Sequence, residues 1–274
     1  MSMKIAGLTL AAAAAMGATG PAFAGGDVIY TGVKDYAAAV PVPAPVPLPV
    51  YEPEYYVRFD TGASWMSDGT LEEYGSPMTL RSIEDVETME FGSIGAGRYI
   101  TPSLRAEIAI DLFSSAQIDG GGDETFIEII GADTYTVARQ ETIKFEQDLG
   151  MFNLYYDFRN STRFTPYIGG GVGVTYRQLK RTSSETATCA SPCVSPPDIP
   201  QSSSTAEGWD FAGALMAGLA IQVSDSIIWD TGYRYLWQSG GLSVDSPTLN
   251  GTSTVEIQDI GQHQLRTGIR LNID

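Results

Sequence analysis

Residues 149–176 read LGMFNLYYDFRNSTRFTPYIGGGVGVTY and contain two alternating runs joined by a short polar turn. In the first run every second residue is large and apolar, and in the second run every second residue is glycine or threonine. A period of two with many aromatic residues is typical of paired antiparallel strands. A soluble sheet buries its large residues against a second layer, whereas a barrel in lipid turns them outward. The rest of the chain discriminates between these two arrangements.

The start of the chain carries an export pattern. Residues 1–24 combine a lysine, a short apolar run and the tripeptide Ala22-Phe23-Ala24, which together predict a cleaved secretory signal peptide. In the second half of residues 25–54, proline occupies nearly every second position. Because proline lacks an N–H and fixes φ, we expect an extended periplasmic arm here, which is either a spacer or a contact to peptidoglycan or a periplasmic protein. Residues 55–274 should then form one domain.

The composition excludes one class of partner and one kind of membrane anchor. The chain has 33 acidic and 16 basic residues, which argues against nucleic acid, whose phosphates require a basic surface. Beyond residue 24 the sequence has no apolar run of the about 18 residues that a transmembrane helix needs.

Eight segments of the domain alternate by side-chain face, and most reach the roughly nine to eleven residues with which a tilted strand crosses a bilayer. They are 55–66, 90–100, 104–115, 142–158, 165–179, 209–223, 227–238 and 257–273. Three connections are tight (101–103, 159–164 and 224–226) and four are long (67–89, 116–141, 180–208 and 239–256). Short turns at one end and long loops at the other are typical of outer-membrane barrels.

The sequence therefore predicts an all-β fold, an eight-stranded antiparallel up-and-down transmembrane β-barrel with long extracellular loops. A β-sandwich would explain the aromatic alternation, but neither the loop asymmetry nor the charged face of the strands.

Eight strands enclose an interior that side chains can fill, so the charges on the inner face of the strands should pair into a plug. The predicted lumen charge network is Arg58, Asp60, Arg98, Arg105, Glu107, Asp111, Asp157, Asp230, Arg234, Arg266 and Arg270. The glycines of the fifth segment should leave room for these arginines, and the outward aromatics Tyr55, Trp65, Tyr99, Tyr156, Trp229 and Tyr235 should form interfacial girdles.

The two cysteines, Cys189 and Cys193, lie four positions apart in a predicted loop. An exported chain meets an oxidising compartment, so we expect a small disulfide between them. A zinc site would need two more ligands, and the single histidine, His263, is far away in sequence.

The signal peptide, the eight strands and the hairpin containing TPYIGGGVGVTY resemble the opacity-type and Omp25-like outer-membrane β-barrel proteins of alphaproteobacteria, which are OmpA-like eight-stranded barrels. The resemblance implies the outer membrane of a Gram-negative cell, contact with its lipid and lipopolysaccharide, and a role in envelope integrity or adhesion. The last strand is similar to the C-terminal signal read by the barrel-assembly machinery, with Gly268, Leu271 and Ile273 at the matching positions. It has aliphatic residues where aromatic ones are usual, and it ends in Asp274 rather than phenylalanine. This second resemblance implies the assembly machinery as a partner during insertion.

Catalysis is not predicted. Some eight-stranded outer-membrane barrels modify lipid A with a histidine base beside a serine nucleophile and an acid. Here the alternation turns His263 toward lipid, between Gln262 and Gln264, with no serine on the same face nearby. The sequence also contains no cofactor-binding pattern.

The first long connection is strongly acidic. Residues 67–90 contain seven acids (Asp68, Glu72, Glu73, Glu84, Asp85, Glu87 and Glu90) and one base, Arg81. Such a loop is either simply solvated or holds divalent cations that bridge it to an anionic leaflet. The sequence as a whole favours a structural or surface-interaction role, with a narrow porin-like channel and a lipid-A-modifying enzyme as the alternatives.

Overall fold

The computed structural model describes residues 54–75, 86–118, 123–130, 133–189, 201–249 and 251–273. The predicted signal peptide and nearly all of the predicted arm lie outside these ranges, so both stay predictions. The described residues form ten strands: β1 Tyr55–Tyr74, β2 Met89–Thr101, β3 Leu104–Phe113, β4 Ala116–Gln117, β5 Asp123–Ile130, β6 Asp133–Asp157, β7 Phe164–Cys189, β8 Ser202–Gln222, β9 Ile227–Thr248 and β10 Gly251–Ile273. No helix in the described part of the chain is long and apolar enough to cross a membrane.

The strands close into a barrel. Pairing is antiparallel throughout the wall, β1 pairs with β10, and β3 pairs with β6. The short strands β4 and β5 pair with successive parts of β6 beyond the end of β3, so β3, β4 and β5 act as one interrupted strand of the wall. The wall therefore has eight strands in up-and-down order, and the predicted fold class is confirmed.

In the half of the barrel that contains the tight turns, the apolar side chains face outward. On β3, Glu107 and Asp111 are buried, whereas the apolar residues of the other face are 66% (Ile108), 52% (Ile110) and 60% (Leu112) exposed. Monomers in water rarely expose so continuous an apolar surface, whereas a lipid bilayer covers it. This half of the barrel is the membrane-spanning part.

The hairpin of residues 149–176 has the predicted sidedness. Phe152 and Leu154 on β6 and Val172 and Val174 on β7 are exposed, while Asn153 between them is fully buried. The two strands pair without interruption from Tyr135↔Cys189 to Asp157↔Tyr167. The apolar face is thus the lipid-facing one, and the glycine face lines the interior.

The strands continue well beyond the apolar band, through much of what the sequence predicted as loops. β6 begins at Asp133 rather than at residue 142, and β7 ends at Cys189 rather than at residue 179. With about 3.3 Å per residue and a tilt of about 40°, residues 133–147 reach on the order of 40 Å past the apolar band. On β7 beyond residue 179, inward arginine, serine and glutamate alternate with outward threonine and serine, so the sequence carries little hydrophobic signal for this part of the strand.

Beyond the membrane-spanning part, the wall divides into two sheets. Pairing between β8 and β9 ends at Ala212↔Gln238, and pairing between β1 and β2 ends at Ser64↔Met89. One sheet consists of β5 with the outer parts of β6, β7 and β8, and the other consists of the outer parts of β9, β10 and β1. We call these two sheets (residues 123–130, 133–147, 177–189 and 202–211 opposite 66–74, 239–249 and 251–262) the extension.

Irregular backbone marks the level where the extension begins. The register between β1 and β10 shifts at Met66 and Asp68, and the register between β10 and β9 shifts at Gln258 and Ile260. Asp259 adopts a positive φ of 40° at the second of these bulges. A bulge adds one residue to a strand and so changes which residues face inward. The buried side chains of β10 are odd-numbered before this bulge and even-numbered after it.

The glycines of β7 make room for aromatic and polar neighbours rather than for arginines, which corrects the prediction. A Cβ on Gly169 would lie 2.6 Å from the Tyr155 ring, and one on Gly171 would overlap Asn153 Oδ1. These bare backbone positions let the inward side chains of β6 lie flat against β7. Arginines benefit only indirectly, because the Arg105 guanidinium stacks on the Tyr155 ring at 4.0 Å from its centroid.

We expect Gly171→Ala to destabilise the folded barrel by about 1–3 kcal/mol, because an added methyl group has no free space at this position. Thermal unfolding in detergent or lipid, followed by the heat-modifiable migration of the folded barrel on gels, measures the change. Gly92→Ala is the matched control, since Gly92 is an exposed strand glycine at which an added Cβ would have nothing within 4 Å. Equal midpoints for the two variants would contradict this role of the glycine face.

Candidate functional site

The interior of the membrane-spanning part holds ten of the eleven predicted network residues. The buried ones are Arg58, Asp60, Arg105, Glu107, Asp111, Asp157, Asp230, Arg234, Arg266 and Arg270. Five arginines therefore face five carboxylates, and the formal charge of these ten side chains is zero. Buried charge is costly unless it is paired, so this balance is what allows the lumen to be filled with ions.

Arg98 does not belong to the network, and its prediction was wrong. Its side chain is 58% exposed, pairs with Glu54 and lies over the Tyr55 ring at the end of the barrel that carries the tight turns. The inward positions of β2 are odd-numbered, from Met89 to Gly95, so an even-numbered residue faces outward. A long cationic side chain at this edge can reach water while its stem covers apolar surface.

Arg105 and Glu107 form the centre of the network. Arg105 Nε lies 3.2 Å from both carboxylate oxygens of Asp157. Glu107 accepts hydrogen bonds from the hydroxyl groups of Tyr56 at 3.1 Å and Tyr155 at 3.2 Å, and its Oε1 lies 3.1 Å from Nη2 of Arg58. Tyrosine hydroxyls and guanidinium groups thus satisfy the same carboxylate, which ties β1, β3 and β6 together across the lumen.

The remaining ions form pairs around this centre. Arg58 Nε lies 2.8 Å from Asp60, and Arg266 binds the same carboxylate from β10. A further pair joins Arg270 and Asp230 at 3.3 Å, and another joins Arg234 to Asp111. Most of these links connect different strands of the wall, so the network cross-braces the barrel from inside.

An amide layer, which sequence reasoning missed, caps this network on the extension side. It consists of the buried side chains Ser64, Gln147, Gln238, Gln262 and Gln264. They hydrogen-bond to one another at 2.9–3.2 Å. Sequence reasoning that looks for charged residues does not single out neutral glutamines. In β10, the alternation of Gln262 and Gln264 with an outward residue is nevertheless visible in the sequence.

An apolar layer lies beyond the amides, at the base of the extension. Its buried members are Met66, Leu71, Val86, Met89, Ala116, Ile118, Ile143, Phe145, Leu179, Leu242, Val244, Val255, Ile257 and Ile260. Residues from both sheets contribute, so the layer is packed like the core of a sandwich. All of its described members are apolar, so their side chains offer no polar group to water or ions.

A second ion cluster, the upper network, lies in the extension. It consists of Glu73, Arg139, Glu141, Arg181, Glu185 and Ser253, all of them buried. Glu73 Oε1 accepts hydrogen bonds from Arg181 at 3.0 Å, from Arg139 at 3.4 Å and from Ser253 at 2.6 Å. The two arginines belong to one sheet and Glu73 belongs to the other, so these bonds hold the two sheets together.

The upper network corrects the interpretation of the acidic connection. Glu73 is one of the seven acids that the sequence places in a loop, either solvated or binding divalent cations, but it is buried on β1 and bonded to two arginines. Among the described residues, no group of three or more histidine, cysteine, aspartate or glutamate side chains could hold a metal ion. Glu84 and Asp85 lie outside those residues, so a cation site that includes them stays a prediction.

His263 lies on the outer wall, as the alternation predicted. Its ring stacks at 6.0 Å on Trp65 and lies 5.3 Å from Tyr235, and its Nδ1 is hydrogen-bonded to the Tyr233 hydroxyl. This aromatic group is about ten residues from the end of β10 and so lies near the outer membrane interface, where a girdle is expected. Tyr99 is the exception among the predicted girdle residues, since it packs against the buried Tyr56.

The predicted assembly residues have defined positions on the last strand. Gly268 pairs with Asp60 on β1, and a Cβ at this glycine would overlap Asp60 Oδ1. The absence of a side chain at Gly268 therefore also serves packing, because it leaves space for the Asp60 carboxylate that binds Arg266. Leu271 is partly exposed and Ile273 is exposed on the outer wall. Their part in assembly stays a prediction.

Cys189 is the last residue of β7. Cys193 lies outside the described residues, so the disulfide between the two stays a prediction.

A closed eight-stranded wall, an apolar outer band, aromatic interfaces and a charge-balanced interior together define an outer-membrane β-barrel protein. No protein-family model matches the chain.

Several proteins are similar to this chain in sequence, at low identity. An uncharacterized protein of Brucella abortus is 26% identical over 201 residues, which cover 68% of this chain and 66% of the relative, just under two thirds of its length. A Rickettsia bellii protein named "putative adhesin" is 24% identical over 80% of this chain and 88% of its own. The outer membrane protein PagN of Salmonella typhimurium is 33% identical over 94 residues, about a third of each chain.

Two solved structures match most of the chain at low identity. OprG from Pseudomonas aeruginosa has a TM-score of 0.44 at 15% identity, and the match covers 81% of this chain and 97% of its own. Neisserial surface protein A has a TM-score of 0.41 at 13% identity, and the match covers 80% and 97%.

We expect Glu73→Gln to loosen the extension while leaving the membrane-spanning part folded. The amide keeps the size of the side chain but removes the charge that two buried guanidinium groups share, at a cost of about 1.5–3 kcal/mol. Hydrogen exchange should accelerate in the outer parts of β6, β7 and β10, and heat-modifiable migration should persist.

Glu72→Gln is the matched control, because Glu72 is the adjacent residue and faces outward. If both variants exchange like the parent, the upper network does not hold the two sheets together.

Proposed function

We propose that this protein acts by surface interaction: the membrane-spanning part anchors a rigid two-sheet extension that contacts other surfaces outside the cell. The observation that carries the proposal is the extension itself, with its own apolar layer and its own buried ion network. A passive anchor does not need strands that continue so far beyond the lipid. The Rickettsia relative, which aligns over most of both chains, supports the same adhesin-like role.

The outer surface of the extension fits a contact role. Ile127 and Ile129 on β5 are 71% and 68% exposed, well outside the apolar band of the barrel. In the described part of the chain, β5 is the outermost strand of its sheet and pairs only with β6. Exposed apolar residues next to a strand edge are typical of protein-binding surfaces.

A structural role in the envelope is compatible with this proposal, since a barrel braced by two ion networks is a stiff element of the membrane. The glycine-rich β7 hairpin and the relatives in Brucella and Rickettsia support the narrower assignment to the opacity-type and Omp25-like group. Lipid, lipopolysaccharide and the assembly machinery remain the partners that this assignment implies.

The filled interior argues against the porin-like alternative. A pore would have to pass the paired ions, the amide layer and then the apolar layer, whose described members offer no polar group to water. The alternative of a lipid-A-modifying enzyme lacks support at His263, whose polar contact in the described part of the chain is the Tyr233 hydroxyl.

We expect purified protein in planar bilayers to show no steady open conductance step. A porin of larger diameter, inserted in the same bilayers, serves as the control for insertion and detection. A steady open step with the parent protein would favour the porin-like alternative and would contradict the filled lumen.

We expect attachment of bacteria to epithelial monolayers to depend on the extension. A shortened chain replaces residues 119–142, 183–202 and 244–255 with two-residue turns, each joining strand positions that already pair. Cells that carry it should attach at the level of cells without the protein, whereas cells with the full chain should attach several-fold more. Heat-modifiable migration and surface labelling show that the shortened barrel is folded and exported.

Arg163→Ala, in the tight turn at the opposite end, is the control variant and should attach like the parent. Undiminished attachment of the shortened chain would exclude the extension as the contact surface.

A further inference from the structure

Lysine is rare in this chain, and the two lysines of the described residues lie side by side. The whole sequence contains four lysines, at positions 4, 34, 144 and 180. Lys144 on β6 and Lys180 on β7 are direct cross-strand partners, and both are exposed on the outer wall. Every other cation of the extension that the structure describes (Arg139, Arg177 and Arg181) is buried and bonded to an acid. We call the two exposed residues the lysine pair.

The side-by-side placement of two lysines is unfavourable by itself. Like charges directly opposite each other on neighbouring strands repel, since their Cβ atoms lie about 5 Å apart. The chain has a formal charge of −17, so opposite charges would be easy to place beside either lysine. Neither lysine nevertheless forms an ion pair with an acid of the described residues. The geometry suits one small anion that both ammonium groups contact at once.

The neighbours of the lysine pair in its own row are neutral and polar. Gln117 on β4 and Thr205 on β8 are the next cross-strand partners on either side, and both are exposed, so four polar side chains form one row across four strands.

Three acids lie near this row, outside it, and two of them have other contacts. Glu207 lies one step toward the membrane on β8, where it accepts a hydrogen bond from the Tyr176 hydroxyl. At the far end of the row, the Glu87 carboxylate accepts a hydrogen bond from the backbone N–H of Gln117 at 3.1 Å. Glu146 lies one step toward the membrane on β6. The row formed by Gln117, Lys144, Lys180 and Thr205 therefore contains two ammonium groups and no carboxylate.

The depth of the row identifies the source of the anion. Tyr176 and Trp209, whose ring centroids are 5.2 Å apart, mark the outer aromatic interface. The lysine pair lies four residues further out along β7, roughly 10 Å along the barrel axis. This is the zone of headgroups and sugars just outside the hydrocarbon, and lysine side chains reach several ångströms toward it.

We propose that Lys144 and Lys180 jointly bind a phosphate group of the phosphorylated glycolipid in the outer leaflet, with Gln117 and Thr205 donating further hydrogen bonds. This site goes beyond the proposed surface contact, because it faces the protein's own membrane rather than another cell. It fixes the barrel against its lipid neighbours at one side of the wall.

The test uses the full chain in phospholipid nanodiscs, with lipid A carrying both phosphates and the same lipid A without phosphates as probes. We expect the parent to bind the phosphorylated form about 5- to 10-fold more tightly, as two exposed charge contacts allow. The double variant Lys144→Gln with Lys180→Gln should bind both forms alike, and Lys144→Arg with Lys180→Arg should keep the preference. Arg98→Gln, which removes an exposed cation at the other end of the barrel, should also keep it.

Three outcomes would overturn the proposal: the parent does not distinguish the two probes, the double glutamine variant keeps the full preference, or millimolar inorganic phosphate displaces the lipid completely, which would indicate a general anion site. The glutamine variant should fold, because it removes a repulsion, and heat-modifiable migration verifies this. If it does not fold, the single variant Lys180→Gln is compared with Thr182→Gln, an outward neighbour on the same strand.

Discussion

The structure depends on one constraint: the charged side chains enclosed by a lipid-facing wall must be paired with opposite charges inside the barrel. The apolar side chains of each membrane-spanning strand are committed to the outer face, so the alternation of the strand assigns the other residues to a narrow interior. Five arginines and five carboxylates meet there, and tyrosine hydroxyls bond to the central carboxylate. Removing one member would leave its partner charged and buried, which costs far more than the pair contributes. The network therefore specifies register: a slip of one residue would place these ions in lipid.

The second constraint is that polarity reverses along the barrel axis. Inside the membrane the wall is apolar outside and charged inside, and at the base of the extension the apolar side chains turn inward as in a soluble sandwich. The bulges of β1 and β10 lie at this boundary and reset the inward positions. The amide layer separates the two regimes, since neutral amides can satisfy one another without a counter-ion. Above the apolar layer the chain again uses ions, now to hold two sheets that no longer share backbone hydrogen bonds at their edges.

The sequence was informative where hydrophobic alternation is strong and uninformative where it is weak. The eight membrane-spanning strands, the inward face and ten network residues follow from period two and from the rule that lipid takes the large side chains. The extension does not follow, because a segment such as RTSSETATC places arginine and glutamate inward and threonine outward, with little contrast in hydrophobicity. Its β-branched threonines are the signal that could have found this part of the strand. Arg98 was misplaced because a charge on a strand was assumed to face inward, although at the edge of the apolar band a cation can lie outside.

The reversal of polarity also fixes the depth at which the barrel sits in the membrane. Moving the wall toward the periplasm would bring the outward acids Glu146 and Asp148 and the lysine pair into hydrocarbon, and moving it the other way would expose the apolar band to water. The same reasoning applies to the two parts separately. The apolar outer face of the membrane-spanning part is favourable only in lipid, whereas the apolar layer of the extension is stabilised only where water surrounds the extension. Glu73, Arg139 and Arg181 meet once the strands on both sides of the extension are in place, because they belong to different sheets. The upper network thus depends on both sheets, and its bonds join them in the folded protein.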